Sequence, residues 1–257
     1  MTERLLSCTV ILLLVLVLSG CSTTESTTFA PAIDSRVMGA PPQDHELSDS
    51  LIARLLDSTV YVKGQDCKVT QNGSGFVVAG GLVATGAHVV AGIEAPILIF
   101  SDDRPSANVG REVSSTVVAF DPVADLALLR PHGDFQLPAP LSMSEAAEGT
   151  VGVLLIHDGT RPSAIPALIS QRIRATGVDI YGEAANGRDA LVLVAPVELG
   201  HSGGAVVNAA GEVVGVTFSR NRGGRPVAYA VQSSELTKLI DGVDDEPVAA
   251  GPCRDGS

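Results

Sequence analysis

The chain has 257 residues, 45% hydrophobic and 18% charged, enough apolar material for a folded domain of ordinary size. Its formal net charge of −12 and pI near 4.7 exclude the basic surface that a nucleic-acid partner requires. Aromatic residues make up 4% and Trp is absent, so the core must be built from Val, Leu, Ala and Ile.

The first element is apolar. Residues 5–18, LLSCTVILLLVLVL, fall short of the ~20 residues of a comfortable membrane span and fit the hydrophobic region of a signal peptide. Leu18-Ser19-Gly20-Cys21 follows and resembles a bacterial lipobox. That resemblance implies cleavage before Cys21 and a diacylglyceryl group on its sulfur. Residues 1–20 are thus expected to be a lipoprotein signal peptide. The mature chain is expected to be exported and lipid-anchored at the outer face of the bacterial cytoplasmic membrane. Residues 21–47 are rich in Ser, Thr, Pro and Gly without apolar period, and are expected to be a flexible tether. His45, at its end, is given no role.

This order also sorts the cysteines. Cys8 leaves with the signal peptide and Cys21 carries lipid, which leaves Cys67 and Cys253. An exported compartment permits those two to pair. The closed loop would be long, and the chain-entropy model gives it at most roughly 4–5 kcal/mol.

Residues 48–253 are expected to be one folded domain, with 254–257 as a tail. SLIARLLD (50–57) has helical spacing of Leu51, Leu55 and Leu56. Short β-branched runs cut by Gly come next: 59–64, 73–80, 82–90, 95–100, 115–121 and 125–131, then 149–157, 167–177, 190–196, 205–219 and 227–232. Many short strands with regular turn residues predict an all-β sandwich or barrel. The Pro-containing stretch 136–143 divides the runs into halves, an N-terminal one at about 58–140 and a C-terminal one at about 145–232. SSELTKLIDG (233–242) predicts a closing helix, capped by Ser233 or Ser234 and ended by Gly242.

The chemistry lies in Gly200-His201-Ser202-Gly203-Gly204. As G-x-S-x-G it fits the nucleophile elbow of an α/β-hydrolase. That fold needs a helix directly after the serine and a histidine further on. Two Val-rich runs around 208–211 follow instead, predicting a hairpin, and no histidine lies beyond Ser202. A serine hydroxyl needs a base and the base needs an orienting acid. The order His…Asp…Ser can be filled by His88, Asp125 and Ser202. No C-x-x-C or H-E-x-x-H occurs, so neither metal nor cofactor is expected. Gly73-Ser74-Gly75 lacks the further Gly of a phosphate-cradling loop and lies among strands.

Three segments carry a resemblance. GSGFVVAGGLVATGAHVVAG (73–92), DPVADLALLR (121–130) and GHSGGAVVNAAGEVVGV (200–216) are similar to the His, Asp and Ser motifs of chymotrypsin-fold, trypsin-like serine proteases of bacteria, including the HtrA-type protease domain. The segment after residue 242 is shorter than a PDZ domain, so the full HtrA architecture is not expected here. The G-S-G-F…A-H-V-V-A-G run is similar to membrane-anchored mycobacterial proteases, in which an early cysteine is joined to a late one much as Cys67 and Cys253 would be. The resemblance implies two six-stranded β-barrels with a short C-terminal helix, and a serine endopeptidase acting on proteins or peptides in the cell envelope. Ser202 would be the nucleophile, His88 the base and Asp125 its orienting acid. The backbone N–H groups of Gly200 and Ser202 would form the oxyanion hole. Pro196, Val197, Phe218 and Val227 would line the pocket for the residue before the cleaved bond. No Asp falls at its base, so a small or medium apolar residue is the expected preference. His201 stands where cleavage-activated relatives carry an Asp that pairs with a new N-terminus. The runner-up is a catalytically silent lipoprotein of the same fold that binds peptides or envelope partners.

Overall fold

The computed structural model describes residues 39–65, 67–68, 70–101, 110–220, 226–244 and 246–254. The signal peptide, Cys21 and most of the tether lie outside the described residues.

Helix α1 (Asp49–Asp57) opens the fold, with the Ser48 hydroxyl accepting from Leu51 N–H at 3.3 Å as an N-cap. Six strands follow: β1 (Thr59–Gly64), β2 (Gln71–Val78), β3 (Leu82–Thr85), β4 (Ile97–Phe100), β5 (Arg111–Asp121) and β6 (Leu126–Pro131). Between β3 and β4 the chain makes one helical turn, α2 (Ala87–Val90). The second set is β7 (Thr150–His157), β8 (Pro162–Val178), β9 (Ala184–Val194), β10 (Ala205–Val207), β11 (Val213–Arg220) and β12 (Val227–Gln232), closed by α3 (Ser233–Asp241).

Each set pairs antiparallel into a closed barrel. The first runs β1-β2-β3-β6-β5-β4, and the second runs β7-β8-β9-β12-β11-β10. The two barrels therefore share one connectivity, although no sequence repeat announces it. Closure removes every sheet edge within each barrel. The architecture is the expected all-β pair of six-stranded barrels with a short C-terminal helix.

The period of two along each strand sorts the core. Ala127 and Leu129 pack with Val60, Val62, Val77 and Leu98 of the first barrel, while their neighbours Leu126 and Leu128 join Phe76 and Val78 in a different cluster. On the second barrel Leu154 and Ile156 pack with Leu191, Leu193 and Val214, while Val153 and Leu155 join the cluster of Leu126 and Phe76. That shared cluster cements the barrels together, and Leu55 of α1 and Leu236 of α3 seal it.

Three local expectations change. The run 82–90 is not one strand: Gly86 breaks it and residues 87–90 turn helical. Helix α3 carries no side-chain cap; the Ser233 hydroxyl donates instead to the Ser144 carbonyl of the inter-barrel segment. Leu47, the last residue assigned to the tether, is only 7% exposed and belongs to the inter-barrel cluster.

The C-terminal tail crosses both barrels. Val248 N–H donates to Val117 carbonyl at 2.9 Å, and Arg254 Nε donates to Ile180 carbonyl at 3.0 Å. Cys253 is bonded to Cys67, with their Cα atoms 5.8 Å apart. Gly92 has φ +76, and a Cβ there would lie 2.6 Å from the Cys253 nitrogen, so only glycine permits this approach. No helix among the described residues is long and apolar enough to cross a membrane.

Candidate active site

Two of the three triad candidates come from the first barrel. His88 sits on α2, directly after β3, and Asp125 ends the turn leading into β6. Asp125 is buried, and its Oδ1 accepts the His88 backbone N–H at 2.9 Å. The ring Nδ1 lies 2.9 Å from Oδ1 and 2.8 Å from Oδ2. An ionised carboxylate only accepts, so Nδ1 carries the proton of the neutral ring and Nε2 is left bare as an acceptor. One carboxylate thus fixes the main chain, the ring and the tautomer of His88.

The turn that presents Asp125 is itself braced. Asp121 Oδ1 accepts from Val123 N–H at 2.8 Å and Ala124 N–H at 2.9 Å, an Asx-type turn. Asp125 then takes φ 60, the sole non-glycine with positive φ among the described residues. That conformation is tolerated best by Asn and Asp and marks a constrained position. From the second barrel, Arg188 Nη1 donates to Val123 carbonyl at 2.6 Å, and its guanidinium lies 4.1 Å from the Phe218 ring centroid. Burial pushes the Arg188 pKa down while the charges of Asp125, Asp121 and Asp179 oppose that shift. Sequence reasoning missed Arg188. No local pattern marks it, because Val123, whose carbonyl it holds, is 65 residues away.

Ser202 lies on the turn between β9 and β10, in the second barrel. Gly203, with φ +83, approaches the first barrel so closely that a Cβ would sit 2.1 Å from the Ser74 carbonyl and 3.0 Å from Gly86 nitrogen. This places the serine turn beside the start of α2. Ser74 N–H donates to the Ser202 carbonyl at 2.7 Å, and Gly203 N–H to Thr217 carbonyl at 2.7 Å. Among the described residues the Ser202 hydroxyl makes no hydrogen bond, and the N–H groups of Gly200 and Ser202 have no acceptor. These two donors are therefore unspent.

His201 closes the turn from within. Its Nδ1 accepts from Glu198 N–H at 3.1 Å while its own N–H donates to Glu198 carbonyl at 3.4 Å. Burial pushes its pKa down, against the neighbouring Glu198 and Asp158 charges. Nearby His157, 2% exposed, is likewise pushed down by burial, and its Nδ1 accepts from Gly159 N–H.

The expected pocket residues divide. Phe218 and Val227 meet in one cluster with Val192, Tyr229 and Ile173. Val197 packs instead against the interior of the second barrel, and Pro196 is exposed. Tyr229 and Leu199 end two of the segments expected to line the pocket, 227–229 and 195–199; Tyr229 joins the Phe218 and Val227 cluster, whereas Leu199 is exposed. Among the described residues no group of three or more His, Cys, Asp and Glu could hold a metal.

Residues 73–216 match the family model of the trypsin-like peptidase domain. Serine protease Rv3671c of Mycobacterium tuberculosis is 30% identical over 223 residues, covering 83% of this chain and 53% of that protein. The mitochondrial serine protease HTRA2 of Bos taurus is 30% identical over 230 residues, covering 82% of this chain and 47% of that protein. The chain thus spans about half the length of these curated relatives. The crystal structure of the Rv3671c protease in its active form superposes with a TM-score of 0.75 at 29% identity, covering 88% of this chain and 98% of that one. With its paired barrels and motif order, the chain belongs to the trypsin-like peptidase family.

Proposed function

We propose that this chain is a serine endopeptidase of the cell envelope, working through His88, Asp125 and Ser202. The observation that carries this reading is the double grip of Asp125 on His88, which leaves a bare Nε2 at the junction where the Ser202 turn arrives. Ser202 Oγ attacks the scissile carbonyl as His88 Nε2 takes its proton. The imidazolium, stabilised by Asp125, then protonates the leaving amine. Water enters, His88 again acts as base, and the acyl-enzyme is hydrolysed. The unspent N–H groups of Gly200 and Ser202 receive the oxyanion, each typically worth about 3 kcal/mol. No cofactor takes part.

The lipobox-like Leu18–Cys21 supports an export signal over residues 1–20, a lipid on Cys21 and a tether that keeps the folded domain near the membrane. Domain bounds of 48–253 fit α1 through Cys253. The apolar surroundings of Phe218 and Val227 support small or medium apolar side chains before the cleaved bond. A peptide library in which Arg or Lys dominates that position would refute the preference.

The second reading, a silent peptide binder, draws on the Ser202 hydroxyl lacking a hydrogen bond to His88. A fluorophosphonate probe separates the two. Labelling of the full chain that disappears in Ser202→Ala supports the protease, and an unlabelled wild-type chain supports the binder. Loss of labelled palmitate uptake in Cys21→Ser checks the anchor.

A further inference from the structure

The Gly73-Ser74-Gly75 stretch has a purpose that neither a strand nor a turn requires. A Cβ on Gly73 would lie 2.7 Å from the Ser202 carbonyl oxygen, and one on Gly75 would lie 2.9 Å from the Ala84 carbonyl oxygen. Two bare positions thus let the serine turn and β3 crowd against β2. The residue between them is Ser74, wholly buried. Every polar atom of Ser74 is engaged. Its N–H holds the Ser202 carbonyl at 2.7 Å, and its carbonyl accepts the Thr85 hydroxyl at 2.8 Å. Its hydroxyl accepts His157 N–H at 2.9 Å and lies 3.1 Å from the Gly200 carbonyl and 3.5 Å from the His157 carbonyl.

A hydroxyl has one proton. Between acceptors at 3.1 and 3.5 Å, the nearer takes it, so the proton goes to Gly200. Ser74 therefore clasps both residues whose N–H groups are unspent: Ser202 through the backbone and Gly200 through the side chain. The His157 N–H at the end of β7 orients the hydroxyl by occupying its lone pair. The first barrel supplies the clasp and the second supplies the turn.

We infer that Ser74 is a positioning residue for the oxyanion-binding turn: its hydroxyl sets where Gly200 sits, and so whether the Gly200 and Ser202 donors converge on one oxygen. This rests on the serine-protease reading of the site. Gly200 has φ +91 and no side chain, and Leu199 before it is 86% exposed, so apart from the His201–Glu198 pair that brackets it, the Ser74 hydroxyl is the contact that holds Gly200 itself. Without the hydroxyl, Gly200 drifts and the oxyanion loses one of its two donors while the His88–Asp125 pair stays intact.

The test uses the full chain, a peptide anilide with Val before the scissile bond, and a peptidyl trifluoromethyl ketone bearing the same Val, whose tetrahedral adduct carries an oxyanion. Ser74→Ala is expected to lower kcat roughly tenfold to a hundredfold, with KM held within about twofold. Affinity for the ketone should fall by a similar factor. Ser115→Ala provides the comparison: it also deletes a buried hydroxyl, which donates to Pro96 carbonyl at 2.7 Å on the far wall of the first barrel. It should lower Tm to a similar degree while leaving kcat and ketone affinity unchanged. Ser74→Cys keeps the shape but offers a weak donor, so it should fold and fall between wild type and Ser74→Ala. If Ser74→Ala does not fold, Ser74→Cys decides. Wild-type kcat and ketone affinity in either folded Ser74 variant would overturn the role, as would equal kcat losses in Ser74→Ala and Ser115→Ala. A wild-type chain that neither cleaves the anilide nor takes up the ketone overturns the protease reading, and this role with it.

Discussion

The two halves of the site are built on opposite plans. The His88–Asp125 half is over-determined: both residues come from the first barrel, three contacts run to a single buried carboxylate, and Arg188 of the second barrel braces the turn that presents it. The Ser202 half is a turn with glycines at 200, 203 and 204, which takes its shape from Ser74, Thr217 and its own His201. A base needs one fixed tautomer, so rigidity suits it. A nucleophile turn must admit a substrate and surround a charge that exists only briefly, so it is held at its ends and open in the middle.

The contrast can be tested, beginning with the largest effect. Ser202→Ala should lower kcat by about 10⁵-fold or more with the fold intact, since the chemistry of the turn half is one hydroxyl; steady-state kinetics and circular dichroism check this. Asp125→Asn attacks the over-determined half and should cost about 10⁴-fold, because the amide no longer fixes the His88 tautomer. Its fluorophosphonate labelling rate should drop in parallel. Gly203→Ala breaks the turn by geometry alone. Its φ of +83 and the 2.1 Å approach to the Ser74 carbonyl predict a loss of about 2 kcal/mol or more in denaturant unfolding.

His201 sharpens the comparison further. Burial holds His201 and His157 below the ordinary histidine value of 6.5, so the unfolded chain binds protons more readily than the folded one. The stability contributed by their neutral forms is complete above about pH 6.5 and is lost as pH falls below it. His201→Asn keeps an acceptor for Glu198 N–H without a titrating ring, and should flatten part of the Tm decline between pH 7 and 5. His201→Ala should lower kcat about fivefold at pH 7, the worth of one side-chain hydrogen bond of ~1 kcal/mol. The smallest effect belongs on the wall of the first barrel. Lys63→Met, which breaks an exposed pair to Glu112 at 2.7 Å, should shift unfolding by under about 1 kcal/mol and leave kcat unchanged.

What could be read from the chain was what is local or carried by motif. The apolar runs at Leu126–Leu129 and at Val153–Ile156 marked strands, and they are apolar throughout because each strand faces two different apolar surroundings. The His88, Asp125 and Ser202 candidates rested on their flanking runs and order, and the fold brings the segments that carry them together. The turn at 87–90 was hidden because Ala-His-Val-Val has the composition of a strand, and only the fold makes Gly86 its start. Arg188 and Ser74 were illegible for another reason. The partners that give each its role lie far along the chain, Val123 65 residues from Arg188 and Gly200 126 residues from Ser74, and the glycines flanking Ser74 do not say what they admit. The pocket was less legible: Pro196 and Val197 were placed by the resemblance alone, and the packing of Val197 is set by the second barrel interior.

The Cys67–Cys253 bond joins positions 186 residues apart, and His88, Asp125 and Ser202 all lie between them. Covalently, the stretch from Cys67 to Cys253 is a ring, not a line. A folded domain that meets a protease is exposed to nicking at its loops. One nick within a line releases a fragment, but one nick within a ring only linearises it, and both barrels stay joined through sulfur. Two cuts, or one cut and a reductant, are needed to part His88 from Ser202. Limited proteolysis followed by electrophoresis with and without reductant would display this as a single band that divides only when reduced.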